Sequence, residues 1–261
     1  MVVAGPPLVL VHGSWGDHTG WAPVVPALAQ RFRVLAYDRR GHGQSERPPG
    51  QGSAEEDAAD LAALSEGVGL APAHVAGVSF GGSIALQLAA RRPELLRSVA
   101  AQEPPLFALL AADPAHGPVM REVLARIGAV VGRLAAGDAE GGTRQFMDTV
   151  AFGPGTWEQI PPADRQYLVG NAPTFLDEAR DPEAYTLDLA ALVACRCPAL
   201  LTEGAQSPVC FPPVVAMLAA VLPRAQTRVF AGAGHVPIDS HPAEYAAVLA
   251  AFTAAVDAGP V

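Results

Sequence analysis

The chain contains no lysine, since all 17 of its basic residues are arginine. That absence removes Schiff-base chemistry and the phosphate-gripping lysine of P-loop enzymes from consideration. Basic patches are lacking as well. With a formal net charge of −9, neither nucleic acid nor an anionic membrane surface is expected as a partner, because a phosphate backbone is bound through clustered cations. Cysteine is scarce: Cys195, Cys197 and Cys210 form no paired framework and no zinc spacing, and read as reduced structural thiols. Long hydrophobic runs are missing too, with no stretch near the roughly 20 apolar residues that span a bilayer. The opening MVVAGPPLVLVHG has no basic region and is broken by Gly5, Pro6 and Pro7, so it reads as neither signal peptide nor anchor, and a cytoplasmic protein is expected. There is no H-x-x-x-H spacing, no acidic ligand cluster and no G-x-G-x-x-G fingerprint, so neither a metal nor a cofactor is expected.

What is present is a 261-residue chain that is half apolar, enough for a sizeable core. Short buried-strand runs, LVLVHG (8–13), FRVLAYD (32–38), AHVAGVS (73–79) and RSVAAQE (97–103), alternate with helical stretches. These are WAPVVPALAQRF, SAEEDAADLAALSEGVG behind an N-capping serine, and GSIALQLAARRP. Strand and helix in alternation imply an α/β fold with a parallel sheet and helices on its faces. From Pro104 to Val193 the pattern is helical throughout. The alternation then resumes with CPALLTEGA, PPVVAMLAAVLP, AQTRVFAGAG and PAEYAAVLAAFTAAV. The chain therefore divides into a core of residues 1–103 and 194–261 and an all-helical insertion over 104–193.

One stretch asks for a chemical explanation. Gly77-Val78-Ser79-Phe80-Gly81 fits G-x-S-x-G at a strand-to-helix junction, where small residues permit a turn sharp enough to expose the serine above the sheet. The helix behind it aims its N–H groups and positive dipole end at any oxyanion formed there. The same spacing occurs in ordinary turns, but the preceding strand, Gly82 and the following amphipathic helix favour a nucleophile.

With these residues the chain resembles the α/β-hydrolase family along nearly its whole length. VHGSWGDHTGW is similar to the family's His-Gly oxyanion segment, YDRRGHGQS to its strand exit loop, GVSFGG to its nucleophile elbow and GAGHVPIDSHP to its catalytic-histidine loop. The resemblance implies the family's mostly parallel sheet with a helical lid over 104–193. It also carries a departure: the chain has room for only one strand before His12-Gly13, where the family usually has more. FRVLAYD then becomes a sheet edge that must be covered or paired, by a capping loop or by a homodimer.

The resemblance implies a catalytic triad. His235, just past the last strand and flanked by small residues, is the expected base, at the carboxyl edge of the sheet where ligands bind in such folds. His12 and His42 are expected to fix loops, and His18, His74, His116 and His241 to be surface or structural residues. The acid breaks the family pattern, because the usual aspartate turn after the following strand reads Gly204-Ala205-Gln206-Ser207. A variant in the family, found in a group of haloalkane dehalogenases, places the acid one strand nearer the nucleophile. Here that position holds Glu103, stopped by two prolines; Glu203 is the alternative, and capping of lid N–H groups the bland one.

Two backbone N–H groups are expected in the oxyanion hole, that of Phe80 and that of Ser14, with Trp15 as the alternative to Ser14. Ser79 at the elbow excludes the aspartate-ester chemistry of dehalogenases and epoxide hydrolases. The lid aromatics Phe107, Phe146, Phe152, Trp157, Tyr167, Phe175 and Tyr185 either line a pocket or pack lid helices together. The expected function is serine hydrolysis of an ester or lactone of a largely apolar small molecule. The alternatives are C–C bond hydrolysis, perhydrolysis, acyl transfer or cyclisation, or a small-ligand binding protein without catalysis.

Overall fold

The computed structural model describes residues 5–48 and 52–259; residues 1–4, where the leader reading begins, lie outside them. Six strands form one sheet, β1 (Pro7–Val11), β2 (Arg33–Tyr37), β3 (Ala73–Val78), β4 (Leu96–Gln102), β5 (Ala199–Gly204) and β6 (Ala225–Phe230). Their order is β2-β1-β3-β4-β5-β6, and every pairing is parallel. The alternation read from the sequence thus becomes a doubly covered α/β sheet.

The helices are α1 (Val25–Leu28), α2 (Ala54–Gly67), α3 (Phe80–Arg91), α4 (Gly117–Ala135), α5 (Ala139–Phe146), α6 (Thr156–Gln159), α7 (Pro162–Gly170), α8 (Ala172–Arg180), α9 (Leu189–Ala194), α10 (Phe211–Val221), α11 (Pro237–Ser240) and α12 (Pro242–Asp257). Ser53 caps α2 by accepting from the Glu56 N–H at 3.1 Å, and three acids fill the first turn, where the helix dipole favours them. One stretch departs from expectation. WAPVVPALAQRF does not form one helix, because Pro23 and Pro26 withhold N–H donors; the chain runs instead through i to i+3 turns and the single turn α1.

Successive strand residues point to opposite faces, and both faces are buried. Val9, Val11, Val75, Val99 and Leu201 join one apolar cluster with α2 and α3, while Leu8, Leu10, Ala76, Ala100 and Leu200 join another with Phe32 and α12. The helical stretch between β4 and β5 has no core of its own. Met120, Ile127, Val130 and Phe175 belong to the first cluster, and Asp181 caps α2 from outside by accepting from the Ala54 N–H at 2.8 Å. Among the described residues β2 is a sheet edge. It is short and opens on Arg33, whose guanidinium donates to the Gly69 carbonyl, a charged start of the kind that discourages further pairing. Among the described residues no helix is long and apolar enough to cross a membrane.

Candidate active site

At the carboxyl end of β3 the chain turns within one residue into α3, and that residue is Ser79, at φ 53° and ψ −123°. The conformation is costly for a residue with a side chain and persists only where its surroundings impose it. They do so through two glycines. A Cβ on Gly77 would stand 2.1 Å from the Gly81 carbonyl oxygen, and one on Gly81 would stand 2.2 Å from that of Val11. The Ser79 N–H donates to the Gln102 carbonyl at 2.8 Å, and its own carbonyl accepts from the Gly82 and Ser83 N–H groups.

Glu103 follows the tip of β4, fully buried, with φ 44°. Its Oε1 accepts the Gly204 N–H at 2.7 Å and its Oε2 accepts the His235 Nδ1–H at 2.5 Å, so both oxygens are engaged. That bond fixes the imidazole tautomer and leaves Nε2 as the basic nitrogen. The ring of His235 is stacked on Phe211 at 4.1 Å between centroids, and Gln102 Nε2 donates to the His235 carbonyl at 3.4 Å. Neither Phe211 nor Gln102 carries a sequence signal of its role. Glu203 makes no bond to His235; it is half-buried, its Oε2 has no partner, and burial followed by the charge of Glu103 pushes its carboxyl above the usual range. Ser207, in the position of the family's usual acid, has a buried and unpartnered hydroxyl.

The His12-Gly13 segment passes directly over the elbow. A Cβ on Gly13 would lie 3.1 Å from Ser79 Cβ and 3.8 Å from the Phe80 nitrogen. Among the described residues the N–H groups of Ser14, Trp15 and Phe80 make no backbone hydrogen bond outside the helices and strands. His12 fastens this loop. Its Nε2 accepts the Arg39 N–H at 3.0 Å, so the proton lies on Nδ1 and is donated to the Gly13 carbonyl at 2.8 Å. Burial first, and then Arg39, push its pKa down to about 3. His42 likewise binds a loop carbonyl, that of Arg40, and His74 is buried against Ser98.

Ser14, Trp15, Ser79 and His235 line a cavity of about 370 Å³ together with Phe146, Phe152 and Tyr167 from the helices over 104–193. The other aromatics of the insertion serve packing: Phe107 stacks with Tyr185 and Phe175 with Trp15, and Trp157 is buried. A buried ion cluster that sequence reasoning missed lies behind Phe80. Arg39 pairs with Glu178 and with Asp57, its guanidinium 5.0 Å above the Phe80 ring. Glu178 is held down to about 2: burial pushes its carboxyl up, but the charge of Arg39 together with the hydrogen bond and charge of His42 outweighs it. The signal was faint, because Arg39 and Glu178 are 139 residues apart. The cysteines are free and buried, and burial pushes the Cys197 and Cys210 thiols up to about 12. Asp17, His18 and Asp38 approach within 4.8 Å at the rim, a grouping invisible in the sequence, but Asp38 Oδ1 already accepts from the His18 ring and backbone.

The alpha/beta hydrolase fold family matches residues 6–242. A RutD protein of Azorhizobium caulinodans, named for carbamate hydrolysis, is 42% identical over 96 residues, 37% of this chain and 36% of the relative. The acetyltransferase component of an acetoin cleaving system from Pseudomonas putida is 41% identical over 95 residues, 36% of this chain and 26% of the relative. The chain thus spans about a third of the length of the curated relatives it matches. Among solved structures, a thermophilic esterase from Thermogutta terrifontis superposes with a TM-score of 0.77 at 24% identity, over 97% of this chain and 90% of that one, a likeness of fold. An elbow serine on a parallel sheet, an imidazole tied to a strand-end carboxylate and a match running from before β1 into α12 lead to one conclusion: the chain belongs to the alpha/beta hydrolase fold family.

Proposed function

We propose that the protein is a serine hydrolase of esters or lactones whose substrates are neutral, largely apolar small molecules. The observation that carries this reading is the 2.5 Å contact between Glu103 Oε2 and His235 Nδ1, beside a serine held in a strained elbow on the same cavity. In this reading His235 Nε2 takes the Ser79 hydroxyl proton as Oγ attacks the acyl carbon. The tetrahedral oxyanion is met by the N–H of Phe80 and that of Ser14, with Trp15 as the alternative. The imidazolium passes the proton to the departing alkoxide, leaving an acyl-enzyme. A water then gives its proton to His235 and attacks the acyl carbon, and Ser79 recovers its hydroxyl as the acid leaves. Glu103 orients the ring and balances its transient charge.

Chemistry of the lining supports the substrate class. Apart from the histidines, the charged residues described around the cavity are Asp17 and Asp239, with no arginine among them. Burial raises the Asp17 carboxyl, but hydrogen bonds from Thr19 and Tyr167 prevail and hold it below the usual range, so it repels an anion. The helices over 104–193 act as a lid, contributing the aromatic roof.

Incubation with an uncharged fluorophosphonate and intact-mass measurement test the reading. One adduct is expected on the wild type and none on Ser79→Ala, with p-nitrophenyl butyrate turned over about 10-fold or more faster than its hemisuccinate counterpart. An unlabelled wild type that hydrolyses neither ester would overturn the serine reading in favour of a ligand-binding protein.

A further inference from the structure

The segment that carries the proposed oxyanion donors is held from the helices over 104–193 as well as by His12 at the end of β1. Trp15 sits at φ 65°, a left-handed conformation that a bulky residue keeps only when its neighbours fix it. Its carbonyl accepts a hydrogen bond from Asn171 Nδ2 at 2.8 Å, and its indole is stacked on Phe175 at 4.9 Å. Asn171 is the single residue between α7 and α8, and Phe175 lies on α8. From α7, Tyr167 faces Asp17 and helps to hold its carboxyl low. From α8, Glu178 binds Arg39, whose backbone N–H in turn anchors His12. One helical hairpin thus grips both sides of the Gly13–Trp15 stretch that lies over Ser79.

Resting on the proposed serine chemistry, we infer that Asn171 is a positioning residue of the oxyanion hole. Its buried amide pins the Trp15 carbonyl, and with that carbonyl fixed the Trp15 backbone cannot relax from its strained φ. Ser14 and Trp15, whose N–H groups are the proposed donors, therefore keep their place beside Ser79 in the wall of the cavity. Because Asn171 belongs to the insertion, the hole is complete only while the α7–α8 hairpin is docked. The helical pattern of residues 104–193 shows no interruption in the sequence; the break at Asn171 between α7 and α8 is what lets the amide reach across.

The test is the near-isosteric Asn171→Leu, with Asn171→Ser as the second variant should the first fail to fold. A misdirected donor weakens the transition state and leaves ground-state binding alone, so kcat on a neutral ester is expected to fall about 10- to 100-fold with KM within about two-fold. The rate of fluorophosphonate labelling should fall by a similar factor, since that adduct also places an oxygen in the hole, and the pH midpoint of the rate should not move. A folded variant with wild-type kcat and labelling rate overturns the inference, as does one that changes KM and thermal stability alone. An unlabelled wild type would instead remove the serine reading itself, so the two failures are told apart.

Discussion

At the residue scale, two carboxylates compete for one imidazole, and geometry separates them. Glu103 is fully buried and would be costly to leave unpaired, but its two oxygens are taken up by the Gly204 N–H and by His235. Glu203 lies on the neighbouring strand with an unpartnered oxygen and no bond to the ring. Replacing Glu103 by Gln keeps the shape but presents an amide to Nδ1 and favours the wrong tautomer. Steady-state kinetics on a neutral ester should show kcat reduced about 10³-fold or more for Glu103→Gln. Glu203→Gln should remain within about a few-fold of wild type; the reverse order would exchange their roles.

At the scale of elements, the elbow works because β1, β3 and α3 meet with no room for side chains. Gly81→Ala would drive a Cβ to 2.2 Å from the Val11 carbonyl oxygen, which is backbone and cannot swing aside, so β1 or the elbow must shift. A loss of several degrees in Tm is expected, with labelling of Ser79 abolished. Gly128 offers the opposite case, since it lies inside α4 with nothing within 4 Å of a built Cβ. Gly128→Ala should raise stability by about 0.5–1 kcal/mol, because the unfolded chain loses freedom that the helix never had. Thermal melts of the two variants check both signs.

At the scale of the whole molecule, the insertion and the sheet are joined by buried charge. Arg39 follows β2, Asp57 lies on α2 and Glu178 on α8, so one ion cluster ties three parts of the chain together. This sets how stability depends on acid. Glu178 is held down to about 2 in the fold against 4.5 in the open chain, so its contribution is full above pH 4.5 and is lost as pH falls toward 2. His12, kept neutral down to about 3 against 6.5, adds a loss that begins below pH 6.5, where the unfolded chain takes the proton first. Denaturant titrations should therefore show stability declining from pH 6.5 downward and more steeply below 4.5. Glu178→Gln should be less stable at neutrality, with Arg39 left short of a partner, and should lose the steeper limb. A flat profile between those values would contradict the account.

The local pattern of residues determined a great deal. Apolar runs with helical and strand periods dictated an alternating sheet, since burying both faces of parallel strands demands continuous apolar segments. Glycines spaced around Ser79 announced the elbow, because a Cβ at Gly77 or Gly81 would stand 2.1–2.2 Å from a backbone oxygen. Glu103 was legible through the resemblance, as the strand-tip acid ahead of two prolines that the family's variant pattern implies. What involves distant partners was not legible. The bond between Glu103 and His235 joins residues 132 apart, and Glu203 on the neighbouring strand makes none to the ring. The Arg39–Glu178 pair, the Asn171 bond to Trp15 and the division of the insertion's aromatics between cavity lining and packing all depend on how the helices over 104–193 dock. No period in the sequence encodes that docking, because each contact joins residues far apart in the chain whose neighbours carry no trace of it.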